Sequence, residues 1–273
     1  MKNRPSMRAG LSMVELIFVI TILGIVASIG SEIIAQTYES YIIQRSQYRI
    51  TTKTELALSQ IGNRLRYAIP SSLGFRADKD SAFHKITEGN SGNDKVLQWV
   101  SYDGDSFEAI DDDDNRTPGW SGFCDLDASS EDTIVTPASK LGFADTIIQN
   151  LGGGGLSDTV IYFPDQSSYD VSGRDGDAKI TLDGTADTIW ERYKLAWSSY
   201  ALSIEDGDLY LYYNFDPHIG ADLGEHKALI LKDITNFRFK GNEGSIRIKI
   251  CKEEKIGMEE NATIHTCKEK VIF

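Results

Sequence analysis

The sequence contains few cysteines and few basic residues, and each shortage excludes a class of protein. Its three cysteines are too few for a small disulfide-scaffolded domain, although they permit one bridge and one free thiol. The 28 basic residues are outnumbered by 41 acidic ones, and three of them, Lys2, Arg4 and Arg8, stand in the first ten residues. The rest of the chain therefore has 25 basic against 41 acidic residues, a net charge of −16. We expect no nucleic acid partner for the acidic domain, because phosphate binding needs clustered Lys and Arg.

Recognisable catalytic motifs are also missing. Gly152–Gly155 is not followed by the Lys-Ser/Thr of a phosphate-binding loop, so this run predicts a flexible turn. There is no Ser/His/Asp set, and we predict that the protein is not an enzyme. None of the four histidines has the spacing of a metal ligand; they are His84, His218, His226 and His265.

What the sequence does have is one long hydrophobic run, Leu11–Gly30, with Glu15 as its single charge. As a helix rising about 1.5 Å per residue, the run spans roughly 30 Å, the thickness of the hydrocarbon core of a bilayer. The leader before it is basic, and the first charge after it is Glu32. The positive-inside rule therefore places the N-terminus in the cytoplasm and the rest of the chain across the membrane.

Glu15 is the residue of this run that points to a function. A carboxylate inside a bilayer costs about 2.5–3.5 kcal/mol on insertion scales and marks a functional site. Cleavage after Gly10 would free an α-amino group on Leu11, which is mostly cationic at neutral pH. Glu15 of one subunit can then neutralise the Leu11 amine of the next, so both charges are satisfied only on assembly.

Two other interpretations of the N-terminus remain open. A secretory signal also begins basic and continues apolar, and Gly30-Ser31 resembles a weak signal-peptidase site. Such a signal would not carry an acid inside its apolar segment. The second alternative is a plain membrane anchor.

The basic leader, Gly10, Leu11, Ser12, Glu15 and the apolar helix together resemble the class III signal of type IV prepilins and type II secretion pseudopilins. The resemblance implies that a prepilin peptidase cleaves between Gly10 and Leu11 and N-methylates Leu11, and that Glu15 is needed for assembly. Leu11 and Ser12 depart mildly from the Phe and Thr frequent in that family. The implied partners are the prepilin peptidase, other pilins or pseudopilins of the filament, the inner-membrane assembly platform and membrane lipid.

The resemblance also implies a location and a division of the chain. We expect a single-pass inner-membrane protein with a cytoplasmic N-terminus, which joins a periplasmic filament after assembly. The expected segments are a leader at 1–10, a transmembrane helix half at 11–30, an amphipathic helix half at 31–69 and a periplasmic α+β domain at 70–273.

An amphipathic pattern follows the membrane run. No proline interrupts it before Pro70, which predicts one helix from Leu11 to about Ile69. Apolar side chains recurring every three or four residues predict a stripe that packs on a sheet. The stripe consists of Ile34, Tyr38, Tyr41, Ile42, Tyr48, Leu56, Ile61 and Leu65.

The C-terminal third has the period of two that is typical of strands. Alternating apolar residues on both sides of Glu205–Asp208 predict a β-hairpin with an Asp-Gly turn. Further runs at Ala228–Leu231, Phe237–Phe239, Ile246–Ile250 and 264–273 predict about five antiparallel strands. We therefore predict an α+β, pilin-like fold, with the long helix packed on a C-terminal antiparallel sheet. The order of elements resembles the larger, J-like minor pseudopilins, and a minor type IV pilin is the alternative.

The middle of the chain is rich in Asp, Gly and Ser, with short strand-like runs at Val96–Val100 and Phe107–Ile110 and a strand at Thr159–Phe163. Two acidic clusters are either solvated loops or candidate sites for structural calcium, since hard cations take clustered oxygens. Neither has the spacing of an EF-hand. The first consists of Asp111, Asp112, Asp113 and Asp114, and the second of Asp170, Ser172, Asp175 and Asp177.

The cysteines and two asparagines complete the candidate sites. Cys251 and Cys267 flank the last two strands, and a bridge between them would stabilise the fold by roughly 3 kcal/mol in the loop-entropy model. Cys124 is then a buried or free thiol. Asn115 and Asn261 each follow an acid by two residues and precede Thr by two, which resembles an extended bacterial N-glycosylation sequon.

Two functions from different classes fit these patterns. The first is a minor pseudopilin for type II protein secretion, a structural subunit that polymerises through its N-terminal helix. The minor type IV pilin variant would serve pilus assembly, adhesion or DNA uptake. The second is a membrane-anchored periplasmic domain that binds calcium, glycan or a secreted protein without polymerising.

Overall fold

The computed structural model describes residues 12–90, 92–110, 115–242, 244–256 and 263–272. It confirms an α+β protein with one long N-terminal helix and a C-terminal antiparallel sheet. The described residues divide into two compact units. The smaller takes 12–49, 255–256 and 263–264, and the larger takes 50–254 and 265–272, apart from the gaps.

The long helix, α1, runs from Met13 to Leu65 over 53 residues. Its last turn tightens, because the Tyr67 and Ala68 N–H groups donate to carbonyls only three residues back. Pro70, which cannot continue a helix, then opens a single 3₁₀ turn. The helix therefore ends four residues before the predicted Ile69.

The end of α1 belongs to the larger unit and packs into its main hydrophobic core. The buried face recurs at helical spacing and meets apolar side chains of both sheets, among them Trp99, Leu202 and Ile248. Thr54 also lies on this face, and its hydroxyl is satisfied by donating to the Ile50 carbonyl at 2.8 Å. The buried residues are Ile50, Thr54, Ala57, Leu58, Ile61 and Leu65.

The predicted packing stripe is therefore largely wrong. Only Ile61 and Leu65 of its eight members are buried, whereas Leu56 is 58% exposed. The pattern counted large apolar residues and overlooked the small or polar Ala57 and Thr54, which set the true phase of the buried face. The members that are not buried are Ile34, Tyr38, Tyr41, Ile42, Tyr48 and Leu56.

A ten-stranded sheet forms the centre of the larger unit. Its order is β2-β1-β3-β8-β5-β6-β7-β4, with β9 on β8 and β10 on β9, and its pairings are antiparallel. The strands are β1 Gly74–Arg76, β2 His84–Lys85, β3 Val96–Tyr102, β4 Thr133–Val135, β5 Val160–Tyr162, β6 Ser168–Arg174, β7 Lys179–Leu182, β8 Lys194–Glu205, β9 Asp208–Phe215 and β10 Lys227–Leu231.

The longest strand, β8, organises this sheet. One of its edges pairs with β3 from Ala196 to Ser203. The other edge is shared, because Lys194–Ala196 pairs with β5 and Ser199–Glu205 pairs with β9. The predicted hairpin is confirmed at the β8–β9 turn, where Asp206 and Gly207 have φ angles of 50° and 85°. Two positive φ angles are typical of a type I′ turn, which suits the twist of the flanking strands.

A separate three-stranded sheet closes the chain, in the order β11-β12-β13. Its strands are β11 Ile234–Gly241, β12 Ile246–Lys255 and β13 Thr263–Ile272. Ile246, Ile248 and Ile250 of β12 are buried, while the alternate Arg247 and Lys249 are exposed. The strands predicted here are confirmed. The C-terminal third, expected to hold about five strands, holds the six strands β8–β13, which are divided between the two sheets.

The middle of the chain is more structured than its composition predicts. The strand expected at Phe107–Ile110 is wrong, because Gly104–Phe107 forms a short helix, α2. The Asp103 carboxylate caps it by accepting from the Ser106 N–H at 3.1 Å. A third helix, α3 Leu141–Asn150, and strands β4, β6 and β7 surround a second core around Trp120 and Ile134. Gly152–Gly155 follows α3 as the predicted turn, and β5 lies within the predicted 159–163.

Candidate functional site

The first part of α1 exposes its apolar side chains on every side. From Met13 to Ile34, each large hydrophobic residue is between 50% and 85% exposed. The helix is long and apolar enough to cross a membrane, and none of its most apolar 18-residue window is buried. A helix that is hydrophobic all round needs lipid or protein around it, so this segment is the first candidate site.

Ser12 fixes where this helix begins. The Glu15 N–H donates to the Ser12 hydroxyl at 3.2 Å, and the Leu16 N–H donates to the Ser12 carbonyl at 3.1 Å. Ser12 is therefore the N-cap and Glu15 is the third helical residue, which is the Ser-x-x-Glu spacing of a capping box. The Ser-x-x-Glu spacing is the signal in the sequence that indicates this cap.

Glu15 is exposed on the first turn of the helix. No basic side chain among the described residues lies within ion-pair distance of its carboxylate. The positive end of the helix dipole favours an acid at this position. A charge partner for Glu15 in an apolar medium must therefore come from outside the described residues or from another molecule.

Several predicted sites lie outside the described residues. The cleavage junction of Gly10 and Leu11, the acidic run of Asp111, Asp112, Asp113 and Asp114, and Asn261 all belong to this group. They stay predictions.

Beyond the membrane-length window, α1 carries a second exposed apolar region. The exposed fractions are 57% for Ile33, 64% for Tyr38, 56% for Tyr41 and 76% for Tyr48. Large apolar side chains grouped along one helix are typical of an interaction surface.

The cysteine pair that the sequence predicts is the pair that the structure joins. Cys251 on β12 and Cys267 on β13 form a disulfide, with their Cα atoms 4.0 Å apart. Cys124 is a buried free thiol. Burial raises the pKa of Cys124 to about 12, so this sulfur is protonated at neutral pH and is a poor nucleophile or metal ligand.

The second acidic cluster does not converge on a common point. Asp170 pairs with His218 at 2.9 Å, Asp175 pairs with Lys179 at 3.5 Å, and Asp177 accepts from the Gly142 N–H at 3.0 Å. Ser172 donates to backbone carbonyls of β7. The calcium alternative for these residues is not supported. Within the described ranges, no group of three or more His, Cys, Asp or Glu side chains could hold a metal ion.

The larger unit also contains a cavity of about 730 Å³, which we call the aromatic cleft. Its walls hold seven aromatic rings: Tyr102, Phe107, Trp120, Phe123, Tyr162, Phe163 and Tyr193. Three basic residues, Lys85, Arg192 and Lys194, also line it, and none of its described lining residues is Asp or Glu.

Two of the three basic groups of the cleft are held against aromatic rings. The Lys194 ammonium lies 4.7 Å from the centre of the Tyr102 ring, and the Arg192 guanidinium lies 5.2 Å from that of Phe123. The Lys85 ammonium donates to the Gln166 side chain at 3.4 Å. Sequence reasoning missed this cleft because its residues come from separated segments between 69 and 194, and no local motif brings them together.

The chain matches no protein-family model, and no curated protein or solved structure is detectably similar to it.

Proposed function

We propose that the protein is a pilin-like structural subunit of the minor pseudopilin kind, anchored in the inner membrane until it assembles into a periplasmic filament. The observation that carries this proposal is the change of environment along α1. The helix is apolar and exposed over a membrane-length segment, and its last turns are buried in the core of a folded domain. The same helix therefore contains an apolar segment that needs lipid or other subunits around it and a final segment that is covered by its own folded domain.

The position of Glu15 supports assembly over simple anchoring. An anchor gains nothing from an acid in its hydrocarbon-spanning segment, because burying an unpaired carboxylate is costly. A subunit cleaved between Gly10 and Leu11 would offer the Leu11 amine of one copy to the Glu15 carboxylate of the next. The exposed Tyr38, Tyr41 and Tyr48 provide further apolar contact area on the same helix. Type II secretion is the assembly we favour, with a minor type IV pilin as the alternative.

Glu15→Gln tests the charge pairing with little other disturbance. Gln keeps the size of Glu and is compatible with a capping box, so the variant removes the charge without disturbing the start of the helix. We expect the variant to be inserted and processed but to be missing from sheared filaments. Intact mass of the membrane-extracted protein measures processing, and immunoblotting of the filament fraction measures incorporation.

Glu39→Gln is the matched control, since it removes the same charge from an exposed position on the same helix beyond the apolar run. It should be processed and incorporated normally. Normal incorporation of Glu15→Gln would contradict the pairing mechanism. A mature chain that begins anywhere but Leu11 would contradict prepilin-type cleavage.

The second candidate function is a membrane-anchored binding protein that does not polymerise. The aromatic cleft is the observation that favours it, because concave sites lined by aromatic side chains and a few polar groups are typical of ligand binding. In that case the filament fraction would contain neither wild type nor variant, and Glu15→Gln would leave the membrane-bound protein unaltered.

A further inference from the structure

We propose that the aromatic cleft binds a carboxylate attached to an aromatic or similarly flat apolar group, with Lys194 as the residue that binds the carboxylate. This ligand site is independent of the filament function, because no residue of the cleft belongs to the exposed part of α1. Its ligand is either a small aromatic acid or the free C-terminus of a peptide that ends in an aromatic residue.

The first argument is the charge of the cleft. The whole chain carries a net charge of −13, yet the described lining of the cleft contains three basic residues and no acidic one. A concentration of positive charge in one concave site therefore favours an anionic ligand over a neutral or cationic one.

The second argument is the environment of the Lys194 ammonium group. Its side chain is half-buried at the start of β8 and contacts the Tyr102 ring. Among the residues that the structure describes, no carboxylate pairs with it and no acceptor receives its protons. Burial lowers the pKa of this ammonium group, which shows that the protein solvates the charge less well than water does. A carboxylate in the cleft would supply the missing charge-assisted hydrogen bonds.

The third argument is the apolar character of the walls. Trp120 and Tyr193 are almost fully buried, and Trp120 packs against Phe107 and Tyr193 with ring centres 4.7 and 5.7 Å apart. The Trp120 N–H donates to the Asp103 carbonyl at 3.0 Å, which fixes the orientation of the indole. Rings that are fixed in place and offer no free polar group favour a ligand whose main part is apolar and planar. The cavity volume of about 730 Å³ suits a ligand of one to a few residues, since ligand pockets span about 300–1,000 Å³.

Isothermal titration calorimetry of the full chain in detergent micelles tests the proposal. The probes are N-acetyl-phenylalanine and its amide, in which an uncharged NH2 group replaces one carboxylate oxygen. We expect the acid to bind about tenfold or more tightly than the amide, because a charge-assisted hydrogen bond to a half-buried cation favours the charged form. Lys194→Met should weaken binding of the acid about tenfold and leave the amide unchanged.

Lys240→Met is the matched control, because it removes an exposed lysine of β11 outside the cleft. It should leave the affinity for the acid unchanged. If Lys194→Met lowers the melting temperature and cannot be titrated, Arg192→Gln provides a second variant at an exposed position of the cleft, with an expected loss of a few-fold. The proposal is overturned if acid and amide bind equally, if neither binds at about millimolar concentration, or if both cleft variants bind as wild type does.

A third probe separates the two sources of ligand. A tetrapeptide with a C-terminal phenylalanine is compared with N-acetyl-phenylalanine, each with a free carboxylate. Tighter binding of the peptide assigns the cleft to protein C-termini, whereas equal or weaker binding assigns it to small aromatic acids.

Discussion

At the scale of single residues, His218 contacts carboxylates from two different segments of the chain. Its Nε2 lies 2.9 Å from the Asp170 carboxylate of β6, and its Nδ1 contacts the Asp216 carboxylate just after β9. Desolvation lowers the pKa of His218, but the hydrogen bonds and charges of Asp216 and Asp170 outweigh it, so the net effect is a raised pKa. The protonated ring therefore links two parts of the sheet.

The pKa shift of His218 predicts a pH dependence of stability. A pKa that is raised on folding means that the stabilisation is fully present below the unfolded value of about 6.5 and is lost as the pH rises through the folded value. The side chain is 47% exposed, so solvent screening keeps the effect below about 1 kcal/mol. We expect His218→Gln to reduce the free energy of unfolding at pH 6 more than at pH 8, as measured by urea denaturation.

His226→Gln controls for the loss of a histidine as such. The His226 ring stacks on Tyr213, and no carboxylate among the described side chains pairs with it. Its effect on the free energy of unfolding, measured at both pH values, is subtracted from that of His218→Gln. An equal loss at pH 6 and pH 8 for His218→Gln would show that the two carboxylates do not act through the charge of the ring.

At the scale of elements, the buried face of α1 predicts very different losses of stability for two neighbouring leucines. Leu58 is 4% exposed in the main core, and Leu56 is 58% exposed. Leu58→Ala should lower the free energy of unfolding by about 2–5 kcal/mol, because it leaves a cavity between the helix and the sheets. Leu56→Ala should change it by less than about 0.5 kcal/mol. Denaturation of both variants under the same conditions checks the phase of the helix, and equal losses would contradict it.

The β8–β9 turn makes a second prediction at this scale. Gly207 has a φ of 85° with open space around its Cα, so an added methyl group meets no neighbour and the cost is purely conformational. We expect Gly207→Ala to lower the free energy of unfolding by about 1 kcal/mol. Gly173 on β6 also has open space, but its φ is not in the positive range, and Gly173→Ala should be neutral or slightly stabilising. Thermal unfolding of both variants separates the cost of the positive φ angle from the effect of the added methyl group.

At the scale of the whole molecule, the sequence predicts what depends on local periodicity. The long helix, the Asp-Gly hairpin and the strands of the last sheet follow from uninterrupted runs and alternation. The short strands β1, β4 and β7 have three or four residues each, too few for a period to show. They exist because they pair with distant strands, and that tertiary contact overrides weak local preference.

The two candidate sites also differ in whether the sequence alone reveals them. Glu15 is visible in the sequence because it is a single acid in an apolar run. Such a residue can be recognised without knowledge of the fold. Lys194 looks like any other lysine in the sequence. Its role emerges only when the sheet brings it against Tyr102, with no described carboxylate within ion-pair distance.

The shared edge of β8 has a consequence for how the domain comes apart. Because β8 is paired with β3 on one edge and with β5 and β9 on the other, neither half of the large sheet can detach without exposing a row of its backbone groups. The strand thus couples the half that contacts α1 to the half around Trp120. Loss of either half removes support from the other, so the two cores should melt together in one cooperative transition.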